Sequence, residues 1–306
     1  MKSWYLFFLL FFFIHSANGQ SDSISRDISA IVFLDSFVVT ATKKGFDVND
    51  FIDIVQKDNS FFQAFHNIRF QDYTSGNKIE VLDKKKGVKA AHYIKVQQKT
   101  SGNCRTMDIL EEKVSGNYFK NKKKRKHRYY TGRMHDQVFM TYGEVCADPS
   151  GTAVSEAQLR GIQKHINELK KLIFQPGREI DVPFIGGKTA IFKKNMLRYY
   201  NFYILSGNYK DLGDCYIFRV TAKPGIPIGK TIIKYMETYF SKTNFQVLAR
   251  NYHLYYYSLI DFDVKMKVEL SKKADKYLPT MVSYRGSWKI PARKRERVEF
   301  ELDFQY

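Results

Sequence analysis

Residues 259–270 read LIDFDVKMKVEL, and the pattern of this stretch decides the class of fold. Apolar side chains occupy every second position from Phe262 to Leu270, and charged side chains fill the positions between them. This period of two predicts a β-strand with one face buried and the other in water. Such strands are typical of antiparallel sheets, because parallel strands are usually covered on both faces.

The same pattern continues on both sides of this strand. Five more segments rich in β-branched and aromatic residues are separated by short connections with turn residues. In chain order they are DCYIFRVTAKPG, KTIIKYMETYF, FQVLARNYHLYYY, YLPTMVSYRGSW and KRERVEFELDF. Six successive strands with tight connections predict an antiparallel meander. Shorter strands are predicted upstream, over HYIKVQ, TMDILEEKV, NYFKN, HRYYTGR and QVFMTYGEV.

Three amphipathic helices accompany the strands. After a strand predicted over IVFLDSFVVTATKKG, apolar residues recur at three- and four-residue steps over residues 48–55, and Asp47 stands at the N-cap position. A second short helix carries Phe62 and Phe65 on one face. A third helix is predicted over residues 155–173, because it begins with a capping box and is followed by Pro-Gly.

A long sheet and a few helices with one apolar face each predict an α+β fold. The apolar helix faces need a surface to cover, and the buried face of the sheet supplies it. We therefore predict a large curved antiparallel sheet, an incomplete barrel, with the amphipathic helices packed on its concave face. A single domain is expected over residues 31–306, because the strand pattern resumes after the Gly- and Pro-rich stretch VPFIGGKTA.

The N-terminus has the layout of a secretory signal peptide. Lys2 precedes an apolar run from Trp4 to Ile14, and small residues follow at Ala17 and Gly19. The run is shorter than the approximately 20 residues that span a bilayer. We expect cleavage after Gly19, so that residues 1–19 are a signal peptide and residues 20–30 are a polar linker. The protein is then expected in the periplasm or at the periphery of an outer membrane.

The composition is strongly basic, with 50 Lys and Arg against 31 Asp and Glu and a formal net charge of +19. Loss of residues 1–19 removes one lysine and leaves +18 over 287 residues. In an exported chain this charge argues against nucleic acid as a partner and favours anionic surfaces such as phospholipid or lipopolysaccharide head groups. The alternative is a lysine-rich composition without a partner.

The three cysteines are Cys104, Cys146 and Cys215. Cys104 and Cys146 flank the same set of predicted strands, whereas Cys215 begins a strand of the later meander. A Cys104–Cys146 disulfide with Cys215 buried and free is therefore favoured, and three buried thiols are the alternative. No His/Cys cluster has metal-ligand spacing, so neither a metal nor an organic cofactor is expected.

A basic run, YFKNKKKRKHRYYTG, occupies residues 118–132. Its aromatic ends predict two neighbouring strands, with the basic side chains on the loop that joins them. The functional interpretation is contact with an anionic membrane surface, and a solvated hairpin tip that discourages edge pairing is the alternative. The residues expected at such a surface are Lys122, Lys123, Lys124, Arg125 and Lys126.

The order of elements resembles that of the periplasmic lipoprotein-carrier superfamily, which includes the LolA- and LolB-type carriers and the RseB-type sensor domains. The stretches VVTATKKGFDVNDFI, NCRTMDILEE, ARNYHLYYYSLIDFDVKM and YLPTMVSYRGSWKIPARKRE also resemble an uncharacterised group of secreted proteins of Bacteroidetes-type bacteria. The resemblance implies a half-barrel whose apolar interior holds acyl chains.

The first functional hypothesis is a non-enzymatic envelope protein, expected to be monomeric, that binds a hydrophobic ligand or a lipoprotein acyl chain between sheet and helices. Surplus apolar and aromatic residues support it, and a filled core is the alternative. The residues expected to line the cavity are Phe51, Phe62, Phe65, Tyr252, Tyr255, Tyr257 and Met266.

Two other functions are less well supported. A secreted hydrolase would need a nucleophile beside a histidine and a carboxylate. Candidate pieces are Cys104, Cys146, His135 with Asp136, and His253 near Asp261 and Asp263. No family-type nucleophile motif accompanies them, so catalytic residues are not assigned. The final residues VEFELDFQY alternate between apolar and polar, which suggests an outer-membrane β-barrel as a further hypothesis. The many Lys and Arg residues in the strands argue against it.

Overall fold

The computed structural model describes residues 25–43, 45–146, 177–180, 185–257, 261–289 and 293–306. The signal peptide and the helix predicted over residues 155–173 lie outside the described residues, as does the first half of the polar linker.

Twelve strands form one open sheet, which is not closed into a barrel, in the order β1-β8-β9-β10-β11-β12-β13-β14-β2-β3-β4-β7. A separate two-stranded ribbon pairs β5 with β6. All pairs are antiparallel except β1 with β8, so the sheet is mixed. The strands are β1 (Val32–Leu34), β2 (Tyr73–Leu82), β3 (Val88–Ser101), β4 (Cys104–Gly116), β5 (Phe119–Asn121), β6 (Lys126–His127), β7 (Val145–Cys146), β8 (Tyr200–Asn208), β9 (Asp214–Ala222), β10 (Ile233–Ser241), β11 (Val247–Tyr256), β12 (Asp261–Lys273), β13 (Lys276–Lys289) and β14 (Glu296–Gln305).

The predicted meander is confirmed, because β9 to β14 are neighbours in chain order. The central strand β12 alternates between buried and more exposed residues from Phe262 to Leu270, as its sequence indicates. It pairs with β11 and β13 on its two sides, for example Met266 with Tyr252 and with Tyr284. These partners share the buried face, so the register brings the apolar sides of all three strands together.

The sheet continues from β14 into β2, a strand that the sequence did not predict. Phe300 pairs with Ile79, and the pairing runs from Val298 to Gln305 along β14. Gly76 and Asn77 lie within β2, and both residue types are rare in strands, so residue propensities do not indicate a strand here. The Asn77 side chain is buried, and its amide nitrogen donates to Ser75 Oγ at 3.0 Å, which gives this donor a partner in the sheet interior.

The helices of the described residues include α1 (Ser36–Thr42), α2 (Val48–Lys57), α3 (Ser60–Asn67), α4 (Tyr130–Phe139), α5 (Gly186–Thr189) and α6 (Lys194–Leu197). Helix α2 agrees with the prediction, since the Asp47 side chain accepts from two backbone N–H groups at its N-terminus. Helix α1 does not, because a strand was predicted there. Asp35 accepts a hydrogen bond from Val38 N at 2.8 Å and begins a helix directly after β1.

Helix α4 replaces the strands predicted over HRYYTGR and QVFMTYGEV, which were wrong. The Glu296 carboxylate accepts hydrogen bonds from the backbone N–H groups of Tyr130 at 2.8 Å and Thr131 at 3.1 Å. A carboxylate at a helix N-terminus accepts from backbone N–H groups that have no partner within the helix, and its negative charge interacts favourably with the positive end of the helix dipole. Because Glu296 lies 166 residues away in the chain, no local pattern reports it.

The helices pack on one face of the sheet through aromatic contacts. Ring centroids are 5.3 Å apart for Phe51 and Phe240, and 6.2 Å apart for Phe61 and Tyr252. The buried face of α3 consists of Phe61 and Phe65, whereas Phe62 is 46% exposed, which corrects the face predicted for this helix. The main core therefore lies between helices and sheet, and the opposite face of the sheet is polar.

The structure joins Cys104 to Cys146 by a disulfide between β4 and the short edge strand β7. Cys215 is buried and forms no disulfide, and burial raises the pKa of its thiol. Within the described ranges, no helix is long and apolar enough to cross a bilayer.

Candidate functional site

A cleft of about 290 Å³ lies between the helices and the sheet. The break between α2 and α3 forms one side, β10 and β11 form the floor, and the segment that leads to α5 approaches from the other side. Its described lining is Val55, Asp58, Asn59, Phe61, Phe62, Gly177, Arg178, Phe192, Met236, Thr238 and Arg250. We call this site the helix–sheet cleft.

One ion pair lies at the base of the helix–sheet cleft. Arg250 Nη2 lies 2.8 Å from Asp58 Oδ2, and their side chains are 10% and 9% exposed. Arg250 Nε donates to Thr238 Oγ1 at 2.9 Å, and the guanidinium carbon lies 4.8 Å from the centre of the Phe61 ring. Pairing, hydrogen bonding and the aromatic face together compensate the burial of this cation.

A second guanidinium lines the same cleft. Arg178 Nη2 donates to the carbonyl oxygens of Gln56 at 2.8 Å and Asp58 at 3.2 Å, at the C-terminus of α2. Among the described residues, its hydrogen-bond partners are these backbone carbonyls and not carboxylates. The described lining thus holds two cations, Arg178 and Arg250, and one carboxylate, Asp58. An anionic group of a ligand would be attracted to this excess of positive charge.

The residues that the sequence assigned to a cavity lining are scattered in the structure. Phe62 lines the helix–sheet cleft. Four others are buried, Phe51, Phe65, Tyr252 and Met266. Of these, Tyr252 and Met266 are also among the lining residues of a second, larger cavity. The remaining two, Tyr255 and Tyr257, lie outside the main core, with Tyr257 62% exposed and Lys234 over the Tyr255 ring.

Sequence reasoning missed most of the cleft. Met236, Phe192 and Arg250 come from distant parts of the chain, and their meeting point depends on how α2 and α3 cross the sheet. Arg250 itself carries a readable signal, because a charged residue occupies a position on the buried face of β11. Such a position is unusual for arginine and points to a paired or functional group.

A larger cavity, about 530 Å³, lies on the opposite, polar face of the sheet. One row of its lining crosses five strands in register: His253, Lys265, Arg285, Glu299 and Glu80. The lining contains many charged side chains of both signs, and its apolar or aromatic members are Tyr235, Tyr252, Met266, Tyr284 and Phe300. This trough is unsuited to an acyl chain in spite of its volume, because burying a hydrocarbon there would desolvate charged side chains.

The basic run of residues 118–132 forms the β5–β6 hairpin and the start of α4. The side chains of Lys122, Lys123, Lys124 and Lys126 are exposed. Arg125 differs from them, because its Nη1 lies 2.9 Å from Glu112 Oε1 and its guanidinium covers the Tyr142 ring. The lysines therefore contribute most of the exposed charge of the hairpin, together with Arg128, whereas Arg125 connects the hairpin to β4.

A cluster of titratable groups is buried beneath this hairpin. The Asp136 carboxylate lies 2.8 Å from His127 Nε2 and 3.4 Å from His135 Nδ1, and it accepts a hydrogen bond from Tyr142 OH at 2.7 Å. Burial works to raise the pKa of Asp136, but the hydrogen bonds from the two histidines outweigh it and hold that pKa well below its usual range. The cluster fixes the hairpin to α4.

The described residues around His135 and His253 do not form the nucleophile–histidine–carboxylate arrangement that a hydrolase needs. The two rings are hydrogen-bonded to Asp136 and Asp263, respectively. In the described part of the chain, neither ring is hydrogen-bonded to a serine or cysteine. Cys104 and Cys146 are joined to each other.

A pH prediction follows from His92, which is completely buried beside the hairpin. Burial is the largest influence and lowers the pKa of His92, although Nε2 lies 2.8 Å from Glu112 Oε1. The unfolded chain binds a proton near pH 6.5 and the folded chain does so only at lower pH, so stability is full above pH 6.5 and falls on acidification, by up to about 1.4 kcal/mol per pH unit.

Urea unfolding between pH 7.5 and 5.5 measures this effect. We expect His92→Gln to reduce the loss of stability on acidification relative to the parent protein. The matched control is His66→Gln at an exposed position on α3. An equal pH dependence in the His92→Gln variant and the parent would contradict the assignment.

No family model matches the chain, and no curated protein matches it. Among solved structures, the chain is similar to a LolA superfamily protein from Nitrosomonas europaea, at 12% identity and a TM-score of 0.23, over 80% of this chain and 90% of that chain. It is also similar to a putative outer membrane lipoprotein-sorting protein domain from Vibrio parahaemolyticus, at 10% identity and a TM-score of 0.26, over 82% and 93% of the two chains. A DUF1329 family protein from Desulfovibrio piger gives 11% identity and a TM-score of 0.23, over 80% and 90%. Identities and TM-scores this low give no information about a ligand. The function is therefore argued from the residues of the cleft.

Proposed function

We propose that this chain is a non-enzymatic envelope protein that binds a hydrophobic ligand, an acyl chain or a lipid-like molecule, in the helix–sheet cleft. The observation that supports it is the cleft between helices and sheet, with apolar walls and arginine at its base. The ligand is either free or the acyl chain of a lipoprotein, and no cofactor takes part. We place the protein, as a monomer, in the periplasm or at the outer-membrane periphery.

The chemistry of the cleft favours a single chain with an anionic end. Val55, Phe61, Phe62, Phe192 and Met236 supply apolar contact area. A volume of about 290 Å³ stands at the lower limit for ligand pockets and suits one chain better than a whole phospholipid. Beside these walls, the charge excess of two guanidiniums over one carboxylate would receive a carboxylate or phosphate.

The cleft is tested by a plug at its mouth. Asn59 is exposed, lines the cleft and makes no side-chain hydrogen bond to the N-terminus of α3, so Asn59→Trp adds bulk without crowding the core. We expect this variant to bind a fluorescent fatty acid at least about tenfold more weakly, because an indole fills space that the chain needs. Fluorescence titration measures the affinity, and native mass spectrometry of gently extracted protein detects co-purifying lipid.

Lys57→Trp is the matched control, because Lys57 is exposed two residues away and does not line the cleft. Its affinity for the fatty acid should equal that of the parent protein. Equal binding by the Asn59→Trp variant and the parent, or no binding by either, would contradict the proposal.

The same proposal includes contact between the exposed hairpin lysines and an anionic membrane surface. A carrier of acyl chains must meet the membrane or protein that supplies them. Lys122, Lys123, Lys124 and Lys126 are in reach of such a surface because their side chains are exposed at the hairpin tip.

A further inference from the structure

The two ends of the sheet differ in charge. In an antiparallel meander, alternate connections emerge at the same end. The register places the end of β2, the start of β3 and the end of β4 together, and the end of β13 and the start of β14 belong to the same end. The described connections at this end comprise residues 83–87, 117–129, 223–232, 257 and 293–295. We call them the basic rim.

The basic rim holds fifteen Lys and Arg and one acidic residue, Asp83. The opposite connections are residues 102–103, 209–213, 242–246 and 274–275, and they hold two basic and two acidic residues. Of the rim cations, Arg125 pairs with Glu112 and Arg295 with Asp261. The excess positive charge of the protein is thus concentrated along one edge and is not spread over the surface.

Two exposed apolar side chains stand on the same rim. Ile228 is 72% exposed and Tyr257 is 62% exposed, and these are the two most exposed large apolar side chains in the described part of the chain. Ile228 lies in the connection between β9 and β10, and Tyr257 directly follows β11. Tyrosine favours the boundary between lipid and water, where its ring is apolar and its hydroxyl stays wet.

From this coincidence of charge and exposed apolar groups, we propose that the whole basic rim docks on an anionic phospholipid bilayer, with Ile228 and Tyr257 entering the head-group region. The inference deepens the membrane contact of the proposed function and extends it from one hairpin to a surface that sets the orientation of the sheet. It does not depend on the cleft, since a rim that binds vesicles is compatible with a cleft that binds nothing.

Simple electrostatics supports binding of this kind. Basic residues near an anionic leaflet are attracted to it, and the attraction falls off within about 8 Å at physiological salt. A rim places many such residues at one depth, whereas cations scattered over a globule would mostly lie beyond that distance. Apolar insertion adds a contribution that salt does not screen.

The first test compares two variants with the same change of charge. The rim variant replaces Lys122, Lys123, Lys124 and Lys126 by serine, and the control variant replaces the exposed lysines at or near the opposite end, Lys99, Lys272, Lys273 and Lys276. Co-sedimentation with phosphatidylcholine vesicles containing phosphatidylglycerol measures the affinity at low and high salt. We expect at least about a tenfold loss for the rim variant and less than about twofold for the control variant.

The second test reports insertion. Ile228→Trp should show a blue-shifted emission on anionic vesicles, and Leu212→Trp, which is exposed at the opposite end, should show none. Emission of the buried Trp288 is the common background in both proteins.

Equal losses for the two lysine variants would overturn the proposal, because net charge alone would then explain binding. Vesicle binding without a blue shift at position 228 would also overturn it. So would heparin, a soluble polyanion, if it displaced the vesicles and bound the rim variant and the control variant equally. The circular dichroism spectrum of each variant shows that the sheet is intact, so that a loss of binding is assigned to the surface.

Discussion

Replacing Asp58 by alanine is expected to destabilise the protein by about 3–5 kcal/mol, the range for removing one partner of a buried ion pair. The change would leave the Arg250 guanidinium, 10% exposed, without its counter-charge. Asp58 also accepts a hydrogen bond from Ser60 N at 3.1 Å, so the start of α3 loses a partner as well. The midpoint of urea unfolding measures the loss.

Two comparisons make this prediction specific. Glu179→Ala removes an ion pair with Lys193 in which both side chains are about half exposed, and it should cost less than about 1 kcal/mol. The double variant Asp58→Ala with Arg250→Met should recover most of the stability, because no unpaired charge remains in the interior. If Asp58→Ala costs no more than Glu179→Ala, the pair is not energetically buried and the base of the cleft is wetter than its geometry indicates.

Replacing Phe51 by alanine is expected to cost about 3–5 kcal/mol, because a fully buried aromatic ring leaves a cavity that its neighbours cannot fill. Phe51 is 1% exposed. Its ring centroid lies 5.3 Å from that of Phe240 and 5.6 Å from that of Tyr216, so it joins α2 to the sheet. Thermal or urea unfolding checks the effect.

Phe62→Ala is the matched control, since the same side chain is lost from a site that is 46% exposed. We expect less than about 1 kcal/mol of destabilisation but weaker binding of a fatty acid, because Phe62 lines the helix–sheet cleft. A large stability loss in the Phe62→Ala variant would contradict this assignment. Weaker fatty-acid binding without a stability loss in the Phe51→Ala variant would contradict it as well.

The class of fold and the strands of its C-terminal half could be predicted from the sequence. The period of two along β12 reports which face is buried, and that property is local to the strand. The N-terminus of α2 is equally local, because Asp47 bonds to backbone groups two and three residues ahead. These two expectations, which rest on short sequence separations, agree with the structure.

Contacts between distant parts of the chain could not be predicted from the sequence and are visible only in the folded protein. Helix α4 exists because Glu296 caps it from 165 or more residues away, and local pattern gave strands there. The base of the cleft joins Asp58 to Arg250 across 192 residues. The rim gathers charges from connections that are far apart in the chain. Period and propensity describe neighbours along the chain, whereas these features arise from pairing and packing at long sequence separation, which only the folded sheet brings together.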